Sequence, residues 1–162
     1  MPHVSTRSKA PDDHLGLSLA FWLPSLTFLL HTLEELPDFP LWVSHHFGAM
    51  SLLEFSLVHI PLLWLSIWIS YGAVASSRPI WRFLAFAFQW QFAFNAVFHL
   101  GAAAIFRDYA PGMVTAAVVA LPATIYVTLA YRRYDVLPGR SALAACALGG
   151  AIAAAAIGSL FG

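Results

Sequence analysis

The stretch His31-Thr32-Leu33-Glu34-Glu35 sets an imidazole and two carboxylates at the end of a long apolar run, Leu17 to Leu36. At about 100° per residue, Glu34 lies roughly 60° to one side of His31 and Glu35 roughly 40° to the other, so all three share a helical face. Two more apolar stretches carry groups of the same kind. Glu54 and His59 sit in "LLEFSLVHI", and Gln91, Asn95 and His99 recur at steps of four in "QFAFNAVFH". An ionisable side chain inside a bilayer costs about 2.5–3.5 kcal/mol on insertion scales, so such groups turn inward and find partners. Two carboxylates about 4 Å apart repel by roughly 4 kcal/mol at an effective dielectric near 20. Three of them share protons or are neutralised by a cation. Imidazoles, carboxylates and an amide are ligands that zinc, iron and manganese accept. The expected metal ligands are therefore His31, Glu34, Glu35, Glu54, His59 and His99, around one or two divalent ions, zinc or iron. Glu34, Glu35 and Asn95 are the candidate catalytic residues: a carboxylate as general acid or base, Asn95 orienting a ligand or substrate.

The elements that must position these groups are membrane helices. Of 162 residues, 60% are hydrophobic and 10% charged, against roughly a quarter charged in a soluble domain. Acidic and basic residues balance, so no basic face points to nucleic acid. A bilayer core needs roughly twenty apolar residues per helix. Five segments fit, at about 17–36, 49–71, 80–106, 112–133 and 141–161. Arg7 and Lys9 before an apolar run resemble a signal peptide, but the run is long and lacks a small-residue cleavage site, so it reads as the first span. The expected organisation is a flexible polar tail over residues 1–16 and a single transmembrane domain over 17–162. "PDFP" (37–40) stops the first helix because proline lacks an amide proton and clashes with the preceding turn. Pro24, Pro61 and Pro122 fall within spans and should kink them; Pro61, close to His59, should free a carbonyl toward the same interior.

The fold expected is an all-α polytopic bundle of five transmembrane helices. Five crossings put Arg7, Lys9, Arg78, Arg82, Arg132, Arg133 and Arg140 on one side and Arg107 alone on the other, so the positive-inside bias sets the N-terminus in and the C-terminus out. The ionisable cluster then falls in the extracytoplasmic half. The fifth segment, rich in Ala and Gly, suits close helix packing and makes a homo-oligomer contact an expectation. Cys146, the single cysteine, reads as a small buried filler. Most of the six Trp residues read as interface or lipid-facing anchors, with the aromatic third helix able to line a slot for a lipid-like molecule. His45 and His46 fall in a loop or helix entrance, Gln91 is expected to buttress the site, and His3 and His14 belong to the tail.

Three motifs carry a family resemblance. "HTLEE" matches H-x-x-E-E, "NAVFH" matches N-x-x-x-H, and "YAPG" approaches Y-S-P-G, in that order over residues 31 to 112. Together they resemble the HXXEE family, small bacterial integral-membrane proteins of unknown function. The resemblance marks His31, Glu34, Glu35, Asn95, His99, Tyr109, Pro111 and Gly112; Ala110 departs from the family's serine. The localisation implied is the bacterial inner membrane, multi-pass.

The residues alone order three functions. A metal-dependent hydrolase or oxidoreductase acting on a lipophilic substrate leads. A metal-ion or proton transporter follows, weakened because few polar residues (Ser18, Ser25, Thr27, Tyr126, Thr128) continue toward the inner side. A structural membrane protein without metal is the third. The partner expected in every case is the lipid bilayer.

Overall fold

A computed structural model describes residues 11–161, and over them the chain is helical without strands. Six helices follow in order: α1 (Pro11–Glu35), α2 (Phe39–His46), α3 (Leu52–Ala75), α4 (Pro79–Phe106), α5 (Met113–Arg133) and α6 (Gly139–Gly158), the last closed by a 3-10 turn at Ser159–Phe161. α1 begins at Pro11, inside the stretch expected as a polar tail; residues 1–10, with His3 among them, lie outside the described set, as does the His14 side chain.

Four helices, α1, α3, α5 and α6, are long and apolar enough to cross a membrane by length and composition. α4 is the longest, at 28 residues, but carries Arg82, Gln89, Gln91, Asn95 and His99. Its position explains that composition. It packs against α1, α3, α5 and α6, so its faces meet other helices, and polar side chains there find partners. α3 shows the opposite pattern: Leu53, Leu57, Trp64 and Trp68 all stand largely exposed on its outer face.

The long helices alternate in direction. The first half of α1 lies beside the last turns of α3 and α5, through a Ser25–Ser70 hydrogen bond of 2.8 Å and an edge-to-face pair of Phe21 and Tyr131. The Tyr131 hydroxyl donates to the Arg82 carbonyl, fixing α4 at the same end. α6 lies closest to α4. A Cβ at Gly149 would stand 2.5 Å from the Ala87 carbonyl oxygen, so only glycine permits that approach. Three small residues of α6, Ala145, Gly149 and Ala153, are buried within this chain, while Ala144, Ala147, Ala151 and Ala154 to Ala156 are exposed.

Three local features differ from expectation. Residues 37–40 do more than stop α1: Pro40 sits in the first turn of α2, where its missing N–H is harmless. α2 then lays Phe39 and Trp42 across the end of the bundle against Phe55. α5 contains a π-turn at Ala116–Ala120, directly before Pro122. α3 runs unbroken through Pro61, and the carbonyl that accepts from the His59 ring is that of Phe55.

Candidate metal centre

The cluster is built on the last turns of α1. His31 and Glu35, four residues apart, point together into the bundle and are almost fully buried. α4 brings His99, 1% exposed, and the half-buried Asn95 from the preceding turn. α3 brings His59, whose side chain keeps 20% of its surface accessible. Three Nε2 atoms converge on one carboxylate. His31 stands 3.5 Å and His99 3.3 Å from Oε1 of Glu35, and His59 3.6 Å from Oε2. Among the described residues no Lys or Arg ion-pairs with Glu35; its ionic neighbours are these imidazoles.

Hydrogen-bond accounting sharpens the picture. The Asn95 amide donates to Nε2 of His31 at 2.9 Å, so His31 carries its proton on Nδ1 and donates to the Thr115 hydroxyl at 2.8 Å. That hydroxyl donates onward to the Gly112 carbonyl. The His59 Nδ1–H donates to the Phe55 carbonyl at 2.8 Å. The His59 ring therefore turns its Nε2 lone pair toward a carboxylate that has lone pairs of its own, whereas the Nε2 lone pair of His31 accepts from Asn95. Such an arrangement needs a positive centre between them, a proton or a metal ion. A ring N–H tied to an outer acceptor is also how metal-binding histidines are oriented. Ligand atoms of His31, Glu35 and His99 all lie within 4.8 Å of one another. Four ligands about 2.1 Å from one ion in a tetrahedron stand about 3.4 Å apart, close to the distances of His31 and His99 from Oε1 of Glu35.

Aromatic rings enclose the group. Phe55 stacks on His59 at 3.8 Å, Phe28 lies 5.8 Å from the same ring, Phe92 meets His31 edge-on, and Phe39 of α2 covers His99. The turn before α5 closes the remaining side. Gly112 has φ +96°, and a Cβ there would stand 2.7 Å from Cε1 of His31 and 2.8 Å from Cε1 of His99. Glycine is required twice over, for the left-handed backbone and for the room. The turn's other marked residues also have places: Ala110 and Pro111 are buried, and the Tyr109 hydroxyl donates to Glu34 at 2.6 Å. Burial and that bond push the Tyr109 phenol up to about 12.

The structure brings His31, Glu35, His59, Asn95 and His99 together, but not Glu34 or Glu54. Glu34 turns to the start of α5, where its carboxylate accepts the N–H groups of Val114 and Thr115 at 3.0 and 2.6 Å. It occupies the free donors of a helix N-terminus, a role its charge suits. Glu54 is exposed and forms a capping box with Ser51 at the start of α3: the Ser51 N–H donates to Oε2 and the Glu54 N–H to the Ser51 hydroxyl. Gln91 is only half-buried; the buried amide of α4 is Gln89, which donates to Thr124 of α5 at 3.0 Å. His46 ends α2, stacked on Phe106 with its Nε2 3.7 Å from Asp108, apart from the cluster. Thr115 is the site residue that sequence reasoning missed.

No curated protein and no solved structure matches the chain significantly. A family model does, over residues 22–127, a stretch that holds His31, Glu35, His59, Asn95, His99 and the turn that covers them. The chain belongs to the family described as proteins of unknown function with an HXXEE motif.

Proposed function

We propose that His31, Glu35 and His99 hold a divalent metal ion, zinc or iron, in a membrane-embedded enzyme that acts on a lipophilic substrate. The observation that carries this reading is the convergence of three Nε2 atoms, from three helices, on one buried carboxylate with two of the rings locked in the ligating tautomer. A second ion would take the other oxygen of Glu35 together with His59. A bound ion supplies an acidified water or a polarised carbonyl. The chain's own residues supply the rest: Glu35 and His59 accept and return a proton, and Asn95 orients what binds beside His31. Glu34 is a positioning residue in this scheme, holding the Thr115 that holds His31.

Access favours an oily substrate. His59 is the one member of the histidine set with appreciable exposure, and its neighbours Val58 and Ile60 are 55% and 58% exposed on the outer face of α3. A molecule reaching the cluster past them comes from the lipid side. All five long helices cross the membrane in this reading. The described charges support one orientation: Arg78, Arg82, Arg132, Arg133 and Arg140 gather at the end away from the cluster. In this reading that end faces the cytoplasm, the N-terminus lies on the cytoplasmic side of the bacterial inner membrane and the C-terminus on the outer side, and the cluster sits in the outer half.

Transport of a metal ion or of protons is the second reading. Its support is the set of buried polar side chains beneath the cluster, Thr27, Gln89 and Thr124, with Ser25 and Ser70 farther along.

Elemental analysis of the detergent-purified protein, purified without chelator, tests the centre. One or two equivalents of zinc or iron are expected, lost in His31→Ala, His99→Ala and Glu35→Gln and retained in Glu54→Gln. Absence of metal, with no uptake on titration with zinc, iron or manganese, refutes the metal centre and leaves a proton-sharing structural cluster. Turnover of membrane lipid extract by the metal-loaded protein separates the enzyme from a transporter, which would instead load sealed vesicles.

A further inference from the structure

At the opposite end of the bundle from the histidines, α4, the end of α5 and the start of α6 do not close on one another. A cavity of about 610 Å³ remains between them. The cause lies in α6. Gly149 clamps it to α4 in mid-course, but toward its start Ala142 and Gly139 face the large rings Phe86 and Trp90 and leave the intervening space unfilled. Cavities of roughly 300–1,000 Å³ are the usual size of small-molecule sites.

The cavity has one chemistry along its walls and another at its mouth. Phe86, Trp90 and Leu143 make it apolar, and Leu143 is 72% exposed on a helix long and apolar enough to span, so the groove opens sideways toward acyl chains. Arg132, in the last turn of α5, stands at the mouth. Its guanidinium is exposed and makes no hydrogen bond or ion pair among the described residues. Five arginines occupy this end of the described chain, against Asp12 and Asp13 at the start of α1 and Asp135, which lines the cavity beside Arg132, so the balance at this end is positive. An anion is favoured at that height, where lipid phosphates lie. Trp90 and Thr128, both lining residues, each keep a buried polar atom without a partner, so the wall still holds unused donors.

We propose that this groove binds an anionic phospholipid, with one acyl chain between α4 and α6 and the phosphate on Arg132. The site is separate from the histidine cluster and stands whether or not that cluster holds a metal. The lipid comes from the leaflet bordering the arginine-bearing end.

Native mass spectrometry of the delipidated full-length protein tests this, with dioleoyl phosphatidylglycerol, dioleoyl phosphatidylcholine and inorganic phosphate as separate probes. Phosphatidylglycerol should bind about five- to tenfold more tightly than phosphatidylcholine. Arg132→Gln, a change at an exposed side chain with no partner to lose, should bring the two lipids to parity. Ala142→Phe, which fills the groove, should weaken both, with the unfolding temperature checked alongside. Inorganic phosphate should not displace the lipid. Equal binding of the two lipids by the native protein overturns the proposal, as does an unchanged preference in Arg132→Gln. Displacement by phosphate alone replaces the lipid with a free anion.

Discussion

Replacing Glu34 by Gln separates its role from that of Glu35. The carboxylate of Glu34 accepts three hydrogen bonds, from Tyr109, Val114 and Thr115. A Gln side chain offers one carbonyl oxygen and no charge. Hydrogen bonds to charged groups contribute about 1.5–3 kcal/mol each when shielded, but water can replace part of a bond at this half-exposed position. A negative charge at a helix N-terminus adds about 0.3–1 kcal/mol. With the Gln oxygen in the place of Oε1, the bond from the Thr115 N–H is lost and the amide NH2 is set against that donor; this and the lost charge should together destabilise by about 2–3 kcal/mol, comparable to the upper range of N-cap removals. For a chain of this size that lowers the unfolding temperature by about 5–10 °C. The same change loosens Thr115, the acceptor for His31 Nδ1, and changes behind a ligand lower metal affinity by about 10–100-fold. Thermal unfolding followed by tryptophan fluorescence in detergent gives the first quantity, and zinc competition against a chelator the second. Thr115→Val should reproduce the loss of affinity with a smaller loss of stability, because it leaves the N–H that Glu34 holds. If Glu34→Gln abolishes metal binding as completely as Glu35→Gln while the unfolding temperature stays put, Glu34 is a ligand and its assignment to the α5 terminus as a positioning residue is wrong.

Two further outcomes follow from the covering turn. Gly112→Ala must hold a left-handed backbone, at roughly 1–2 kcal/mol, and press a methyl into His31 and His99, at roughly 1–3 kcal/mol, so both stability and metal affinity should fall; an alanine variant as stable as the parent would remove the case for contact between turn and rings. The Tyr109 phenol should ionise near pH 12, read as the phenolate absorbance missing from Tyr109→Phe, and Glu34→Gln should move it part of the way back toward 10. Because the folded state holds the neutral phenol, its contribution to stability is complete below about pH 10 and disappears as pH rises through about 12. An ionisation at the ordinary value would mean that the bond to Glu34 is not kept in solution.

Much of this arrangement is readable from the chain because helices impose a fixed angular step. His31 and Glu35 four apart, and Asn95 and His99 four apart, must share faces, and connections as short as 76–78 force neighbouring helices to run antiparallel. The same step separates Glu54 from His59 by about 140°, which is why one reaches the cluster and the other does not. A local signal for Glu54 was present: Ser51-Leu52-Leu53-Glu54 is a capping-box pattern opening an apolar run. Likewise Asp38-Phe39-Pro40 marks a helix start as well as a stop. Glu34 is different. Its angle to His31 is nearly as favourable as that of Glu35, and the deciding partners, the N–H groups of Val114 and Thr115, lie about eighty residues away. Backbone donors leave no trace in residue type, and Thr115 looks like any other threonine in a span. The choice of Gln89 over Gln91 as the buried amide depends on where α5 sits, which no periodicity within α4 reports.

The π-turn at Ala116–Ala120 has a consequence for phase. Thr115 meets His31, and nine positions later Thr124 meets Gln89. At about 100° per residue a regular helix would aim those two hydroxyls about 180° apart, one of them at the wrong neighbour. A single wide turn absorbs one residue and reduces the divergence to about 80°, so both look into the bundle. The helix behaves as though one amino acid had been spliced in without moving either hydroxyl. Excising a residue such as Val118 would restore an even pitch and leave both threonines facing as they do, so relatives one residue shorter in this stretch would keep the same interior while their alignments slip by one.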